Sequence, residues 1–144
     1  MKYSYEQLIH LMEDQIPFNR FLGVKVDRIS RGHTLIKIPF FPEAIGDPFR
    51  PALHGGLISM LADTAGGLAI FTNVEETQVV STLDLRIDYL RPGQINDDLF
   101  ASSEVVRMGN RFGVVHTVIY QQDPTQPVAT STGVYTIVES KASN

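Results

Sequence analysis

The stretch over residues 53–72, LHGGLISMLADTAGGLAIFT, constrains the fold more than any other part of the chain. From Leu57 to Phe71 its only polar side chains are Ser59, Asp63 and Thr64, and apolar residues fall on every side of a helix drawn through it. A helix that is hydrophobic all round is buried by other elements. At about 1.5 Å per residue it would be about 28 Å long, roughly the width of a small domain. We therefore expect one long buried helix at the centre of the fold.

Asp63 is the one formal charge inside this predicted helix. Burying an ionised carboxylate is costly unless it is paired or hydrogen-bonded, so Asp63 is either a structural acceptor or a functional group. At the start of the helix, Gly55 and Gly56 leave backbone N–H groups bare where the helix dipole favours developing negative charge. A carboxylate and such a cradle on one element indicate acyl chemistry.

The spacing of these groups adds a constraint on assembly. Gly56 and Asp63 are seven residues apart, which is about 10.5 Å along one helix. One helix therefore cannot hold a carbonyl at its N-terminus and attack the same carbonyl with its own Asp63. If both groups serve one reaction, they come from two copies of the helix that meet across a two-fold axis. The sequence thus predicts a homodimer with shared sites.

Composition narrows the classes of function. The 144 residues suffice for one domain with a sizeable core, so we expect a single domain over residues 1–144. The formal net charge is −4 and no two Lys or Arg residues are adjacent, which argues against nucleic acid as a partner. The sequence has no cysteine, which excludes disulfides, thiolate catalysis and Cys-based metal sites. No other metal-ligand spacing is present, so neither a metal nor a cofactor is expected.

The sequence predicts neither a secretion signal nor a membrane partner. Its first 15 residues contain acids and lack a continuous apolar core, which is unlike a signal peptide. The central stretch is too polar at its start, and too rich in small residues, for a membrane span. The expected compartment is the cytoplasm.

Hydrophobic periodicity and turn residues predict the remaining elements. A helix is expected over residues 4–13, with Ser4 as N-cap and Gln7 completing a capping box, and Pro17 ends it. Strands are expected at residues 22–29, 33–40, 79–90, 99–108, 112–121 and 128–138, with a long loop at 42–51 and a frayed tail at 140–144. A hairpin before one buried helix and four strands after it predict an α+β fold, with an antiparallel sheet of about six strands wrapped around the helix.

Several short motifs carry a family resemblance when their order and spacing are taken together. They are Ile16-Pro17-Phe18-Asn19 with Leu22-Gly23, His54-Gly55-Gly56, Leu61-Ala62-Asp63-Thr64-Ala65, Ser81-Thr82-Leu83-Asp84-Leu85 and Asp88-Tyr89-Leu90-Arg91-Pro92. Over residues 16–138 this set resembles the hotdog-fold thioesterases, in particular the branch of phenylacetyl-CoA and 4-hydroxybenzoyl-CoA type enzymes. The resemblance implies an acyl-CoA thioesterase that releases free acid and CoA.

The resemblance also implies roles for individual residues. Asp63 would be the nucleophile or general base, and the Gly55 N–H would polarise the thioester carbonyl, with His54 shaping the loop. Thr82, with Ser81 adjacent, would assist the attacking water or the carboxylate. Members of the family build each site from two subunits, which agrees with the spacing argument, so we expect a homodimer or a tetramer of two dimers.

One loop departs from the family pattern. Relatives often carry an Asn or Gln just ahead of the His-Gly-Gly motif, whereas residues 46–53 here read GDPFRPAL. Either Asp47 or Arg50 takes over that role, or the assistance is absent. Four further side chains that could bind the phosphates of coenzyme A are Arg91, Arg107, Asn110 and Arg111.

Two alternatives were weighed against thioester hydrolysis. A dehydratase on the same fold is rejected because Phe40 stands where the histidine of the dehydratase His-Phe-Pro-Gly loop would be. A non-catalytic acyl-CoA-binding protein stays open, because it would need the same pocket. The acyl group, and the choice between covalent and general-base routes, also stay open.

Overall fold

The computed structural model describes residues 1–141. Residues 142–144 of the predicted tail lie outside the described residues. The helical elements in chain order are α1 (Tyr5–His10), a π-helical turn (Leu11–Gln15), α2 (Pro17–Leu22), a 3-10 turn (Pro42–Ala44) and α3 (Gly55–Phe71). The strands are β1 (Lys25–Ser30), β2 (His33–Ile38), β3 (Ile45–Asp47), β4 (Ala52–Leu53), β5 (Gln78–Tyr89), β6 (Leu99–Met108), β7 (Phe112–Tyr120) and β8 (Ala129–Glu139).

Six of the strands form one antiparallel sheet, as the sequence predicts, and their order in it is β1-β2-β6-β7-β8-β5. The sheet curves around α3, which contacts β2, β5, β6, β7 and β8. The long strand β5 pairs with β8 and forms one edge of the sheet. The fold is therefore the predicted α+β arrangement of a sheet around one long helix.

The central helix buries the side that faces the sheet. Its buried side chains are Ile58, Leu61, Ala62, Ala65, Leu68, Ala69 and Ile70. Each Leu or Ile that is fully buried contributes about 1.5–3 kcal/mol to stability. A second stripe that includes Asp63, Thr64 and Gly67 is only half-buried in the single chain. No helix within residues 1–141 is long and apolar enough to cross a membrane.

The N-terminal helix confirms one prediction, and the segment after it corrects another. Ser4 accepts a hydrogen bond from the Gln7 backbone and the Gln7 side chain bonds back, so the predicted capping box is present. Pro17 does more than end this helix, because it occupies the first turn of α2, where its missing N–H costs nothing. The helix ends at Gly23, whose left-handed φ of 73° suits glycine. The predicted strand from residue 22 therefore begins later, at Lys25.

The predicted loop over residues 42–51 contains more structure than its prolines indicated. It forms the 3-10 turn and then pairs β3 with β4 in a small two-stranded sheet. The His54 N–H donates to the Ala44 carbonyl at 2.8 Å, which ties the end of this segment to its beginning. A Cβ at Gly46 would lie 2.6 Å from the His54 Cα, so β3 approaches the N-cap residue of α3 this closely only with glycine there. This segment fixes the point where α3 begins.

Candidate active site

The carboxylate of Asp63 lies on the half-buried stripe of α3, facing β5. The Thr82 hydroxyl on β5 donates to the Asp63 Oδ1 at 2.7 Å. Hydrogen bonds to an ionised acceptor are shorter and stronger than those between neutral groups. The structure thus brings together the two side chains that the sequence analysis named as carboxylate and assisting hydroxyl.

Tyr135 on β8 is a third member of this group, and the sequence analysis did not identify it. Its hydroxyl donates to the Asp63 carbonyl at 3.0 Å and lies 3.4 Å from the Asp63 Oδ1. Tyr135 and Thr82 are direct partners in the pairing of β5 with β8. Burial, together with the negative charge of Asp63, raises the pKa of the Tyr135 phenol above its ordinary value. The phenol therefore stays protonated at neutral pH and acts as a donor.

A cavity of about 200 Å³ adjoins Asp63. Its lining is formed by Met12, Ile16, Asn19, Asp63, Thr64, Gly67, Leu68, Phe71, Val80, Thr82 and Tyr135. Most of the wall is apolar, and the hydroxyls of Thr82 and Tyr135 contact Asp63. Asn19 is the one amide side chain in the lining; it is 3% exposed, and its Nδ2 donates to the Met12 sulfur at 3.7 Å. Small-molecule sites have this composition of an apolar wall with a few polar groups.

The N-terminus of α3 forms a separate group of residues. His54 is the N-cap, and its Nδ1 accepts a hydrogen bond from the Gly56 N–H at 2.8 Å. That bond occupies the Gly56 N–H, so the expectation that this N–H is bare is wrong. The Gly55 N–H makes no hydrogen bond within residues 1–141, and the Gly55 carbonyl accepts from the Tyr89 hydroxyl at 3.2 Å. Gly55 is thus the bare donor at this helix start.

Arg91 lies next to this helix start. A groove of about 340 Å³ is lined by Gly55, Ile58 and Tyr89 together with Arg91 and its neighbours. The Arg91 Nη1 donates to the Gln126 Oε1 at 2.6 Å, which restricts the guanidinium. Of the side chains named for coenzyme A, Arg91 is the one that the structure places beside Gly55.

The other residues named from sequence lie apart from both groups. Ser81 is exposed and, since side chains alternate along a strand, points to the face opposite Thr82. The remaining three candidate phosphate ligands are exposed near the turn between β6 and β7, and within residues 1–141 none bonds to Asp63 or Gly55; they are Arg107, Asn110 and Arg111. They stay predictions about the substrate.

Asp47 and Arg50 bind each other through a hydrogen bond and an ion pair. The Asp47 carboxylate accepts hydrogen bonds from the N–H groups of Arg50 and Phe49, at 3.1 and 2.9 Å. These two bonds, led by that of Arg50, hold the pKa of Asp47 below its ordinary value. The Arg50 Nε lies 3.4 Å from the Asp47 Oδ2, and its side chain is 91% exposed. Within the described residues, this carboxylate stabilises the turn over residues 47–50 and contacts neither Asp63 nor Gly55.

The two groups of residues are separated within one chain. Gly55 and Asp63 are eight residues apart on α3, which corresponds to about 12 Å along the helix axis. On β5, Tyr89 contacts Gly55 and Thr82, seven residues away, contacts Asp63, so the two groups are also apart along the strand. A single carbonyl cannot contact both groups of one chain.

Comparison with known proteins identifies the class to which this fold and site belong. The sequence model of the Thioesterase superfamily matches residues 51–128, more than half of the chain. The chain belongs to the thioesterase superfamily, and its sheet around one helix is the hotdog fold of that family.

Individual relatives support the same assignment. The medium/long-chain acyl-CoA thioesterase YigI of Salmonella typhimurium is 30% identical over 135 residues, which cover 85% of this chain and 86% of that protein. The acyl-coenzyme A thioesterase PaaI of Escherichia coli is 27% identical over 122 residues, covering 85% of this chain and 84% of PaaI. The solved structure of E. coli PaaI superposes with a TM-score of 0.82 at 24% identity, covering 94% of each chain, and shows a common fold.

Proposed function

We propose that this protein hydrolyses an acyl-CoA thioester to a free acid and CoA. The observation that carries the proposal is the Asp63 carboxylate, held by the Thr82 hydroxyl at the mouth of an apolar cavity. A carboxylate in this position can act on a carbonyl carbon or on a water beside it. The relatives named acyl-CoA thioesterases, which match most of the chain, support the same chemistry.

In the proposed reaction the thioester carbonyl accepts a hydrogen bond from the bare Gly55 N–H at the start of α3. This N–H, with the positive end of the helix dipole, stabilises the negative charge that develops on the carbonyl oxygen. Asp63 from the partner subunit then removes a proton from water, whose oxygen attacks the carbonyl carbon, or attacks that carbon itself. The carbon–sulfur bond breaks, and the thiolate of CoA leaves and takes up a proton. Thr82 keeps the carboxylate in place during either route.

The two routes differ in one isotopic outcome. Attack by Asp63 forms a mixed anhydride, and water that attacks the Asp63 carbonyl of this anhydride transfers its oxygen atom into the Asp63 carboxylate. General-base catalysis leaves the carboxylate oxygens unchanged. Label in the peptide that contains Asp63, detected by mass spectrometry after a single turnover in heavy-oxygen water, therefore requires the covalent route.

The cavity beside Asp63 suits the acyl group. Its apolar walls come from the N-terminal segment, through Met12 and Ile16, and from α3, through Leu68 and Phe71. An acyl chain placed there buries apolar surface while its carbonyl remains beside the carboxylate. The CoA part would then lie outside, where Arg91, which lines the groove beside Gly55, suits a phosphate.

The edge strand β5 supports a homodimer. β5 has a neighbouring strand on one side among the described residues, and Val79, Leu83 and Tyr89 on it are each at least 44% exposed. A long edge strand with exposed apolar side chains is a template for pairing with another strand. Antiparallel pairing of two β5 copies about a two-fold axis at its middle brings Gly55 of one chain toward the half of β5 that contains Thr82 in the other. A tetramer of two such dimers stays a prediction.

The direct test of the proposed activity is turnover. Purified protein is incubated with acyl-CoA esters of short, medium and long chains and with aromatic acyl-CoA esters, and released CoA is detected with a thiol-trapping dye. We expect at least one class of ester to be hydrolysed with saturation kinetics. Calorimetric binding of the esters without any release of thiol would instead favour the acyl-CoA-binding alternative.

Replacing Thr82 by Ala should lower kcat by roughly ten-fold, because the carboxylate loses a strong hydrogen-bond donor but remains in the site. Thr82→Ser is the matched control, since it keeps the hydroxyl and should retain most of the turnover. Steady-state kinetics on the best ester measure both variants. A loss in Thr82→Ala as large as that in Asp63→Asn would contradict the supporting role given to Thr82.

A further inference from the structure

The Asp63 carboxylate is held asymmetrically by two hydroxyl groups. Thr82 Oγ1 lies 2.7 Å from the Oδ1, and Tyr135 Oη lies 3.4 Å from the same atom while it also donates to the Asp63 carbonyl at 3.0 Å. Within residues 1–141 no donor contacts the Asp63 Oδ2. One oxygen is therefore fixed and the other is left for a substrate or a water molecule. Tyr135 is the only one of these donors that binds both the backbone and the side chain of Asp63.

The side chain of Tyr135 packs against two glycines, Gly66 and Gly133, where a larger residue would overlap it. A Cβ at Gly66, in the middle of α3, would overlap the Tyr135 hydroxyl. A Cβ at Gly133 would lie 2.7 Å from the Tyr135 Cε2. Glycine weakens helices and strands alike, because it loses more backbone freedom on folding than other residues. Both glycines, each inside a regular element, accommodate the ring that reaches Asp63.

The environment of Tyr135 suits a donor. Its side chain is 2% exposed, and the cavity lining that surrounds its hydroxyl has one other titratable group, Asp63 itself. The remaining polar groups of that lining are Asn19, Thr64 and Thr82. A buried hydroxyl whose acceptors both belong to one residue acts on that residue.

We propose that Tyr135 is a positioning residue, which holds Asp63 so that its Oδ2 faces the thioester or the attacking water. The proposal rests on the proposed function, since it assigns Tyr135 a part in the same hydrolysis. The Tyr135 ring lines the cavity, but its hydroxyl is bonded to Asp63 and acts on the reacting atoms only through that residue. It acts by restricting the carboxylate to the productive orientation, which contributes to rate and leaves substrate binding unchanged.

The variant Tyr135→Phe tests this role, because it keeps the ring between Gly66 and Gly133 and removes only the hydroxyl. We expect kcat to fall by about five- to ten-fold, as for the loss of an ordinary hydrogen bond, with KM changed by less than about two-fold. The matched control is Tyr120→Phe, which removes a hydroxyl from a tyrosine on β7 that stacks on Phe100. The control should leave both constants unchanged. Thermal unfolding of each variant establishes that it is folded at the assay temperature.

A second measurement separates positioning from a general structural role. If Tyr135 acts through the Asp63 carboxylate, Tyr135→Phe should cause no further loss of residual turnover when Asp63 is already Asn. An equal fractional loss in both backgrounds would overturn the proposal in favour of a structural role. A normal kcat in Tyr135→Phe, with Asp63→Asn inactive, would also overturn it and leave the proposed function standing. Failure of the proposed function has a different signature, which is binding of acyl-CoA esters by the unmodified protein without any release of thiol.

Discussion

Replacing Asp63 by Asn is expected to lower kcat by on the order of 100-fold or more, while the fold and the affinity for acyl-CoA are kept. The amide has nearly the same shape as the carboxylate and still accepts the hydrogen bond that Thr82 donates at 2.7 Å. It is, however, neither a base nor a nucleophile, so both routes of the proposed reaction lose their reactive group.

Steady-state kinetics with thiol detection measure the loss in Asp63→Asn, and calorimetry measures the retained binding. Asp98→Asn is a matched control, because it makes the same change at an exposed carboxylate just before β6. Near-normal turnover in a folded Asp63→Asn protein would remove Asp63 from the mechanism. Loss of binding together with turnover would mean that the carboxylate shapes the pocket and has no part in the chemistry.

Replacing Gly55 by Pro should lower kcat by about 100- to 1,000-fold, the range observed when one donor of an oxyanion hole is removed. The substitution deletes the N–H that is proposed to bind the carbonyl oxygen. It suits the local structure, since Gly55 is the first residue of α3, where proline is favoured, and His54 before it is extended with φ −63° and ψ 129°. The helix should therefore form as before.

Gly55→Ala is the matched control for the proline variant. It adds a methyl group 3.4 Å from the Tyr89 Cε1, a tight contact, but keeps the N–H. We expect Gly55→Ala to retain most of the turnover of the unmodified protein. Equal losses in the two variants would point to crowding at the helix start and would contradict the role of the N–H. Circular dichroism and thermal unfolding test whether both variants are folded.

The long elements could be predicted from the sequence because their patterns are strong. The predicted strand over residues 99–108 coincides with β6 (Leu99–Met108), and the other three strands after the helix agree within about one residue at each end, as period-two alternation bounded by turn residues allows. The apolar run with His54 before it located α3 (Gly55–Phe71). Short elements were missed. Pro17 ends one helix and also begins the next, which a proline alone does not indicate, and β3 and β4 are too short for alternation to show.

The candidate site was only partly predictable. Asp63 is conspicuous as a lone charge in an apolar helix, but its pairing with Thr82 came from a resemblance between motifs, since periodicity does not join residues across elements. Tyr135 lies 72 residues from Asp63 in the chain, and only the strand register brings them together. A faint signal was present at Gly66, because a glycine inside a long apolar helix marks a close neighbour. The sequence does not say which side chain that neighbour is.

The central claim is that Asp63 of one subunit and Gly55 of the other form each site, and subunit complementation tests it most directly. Two variants that are each inactive, Asp63→Asn and Gly55→Pro, are mixed in equal amounts, partly unfolded and refolded together. In a shared-site dimer the heterodimer has one site with both substitutions and one with neither. Random mixing makes about half of the dimers mixed, so about a quarter of the activity of the unmodified protein should return. If each subunit contains a complete site, every site keeps one substitution. A mixture that stays inactive, with heterodimers demonstrated by native mass spectrometry, would contradict the shared site.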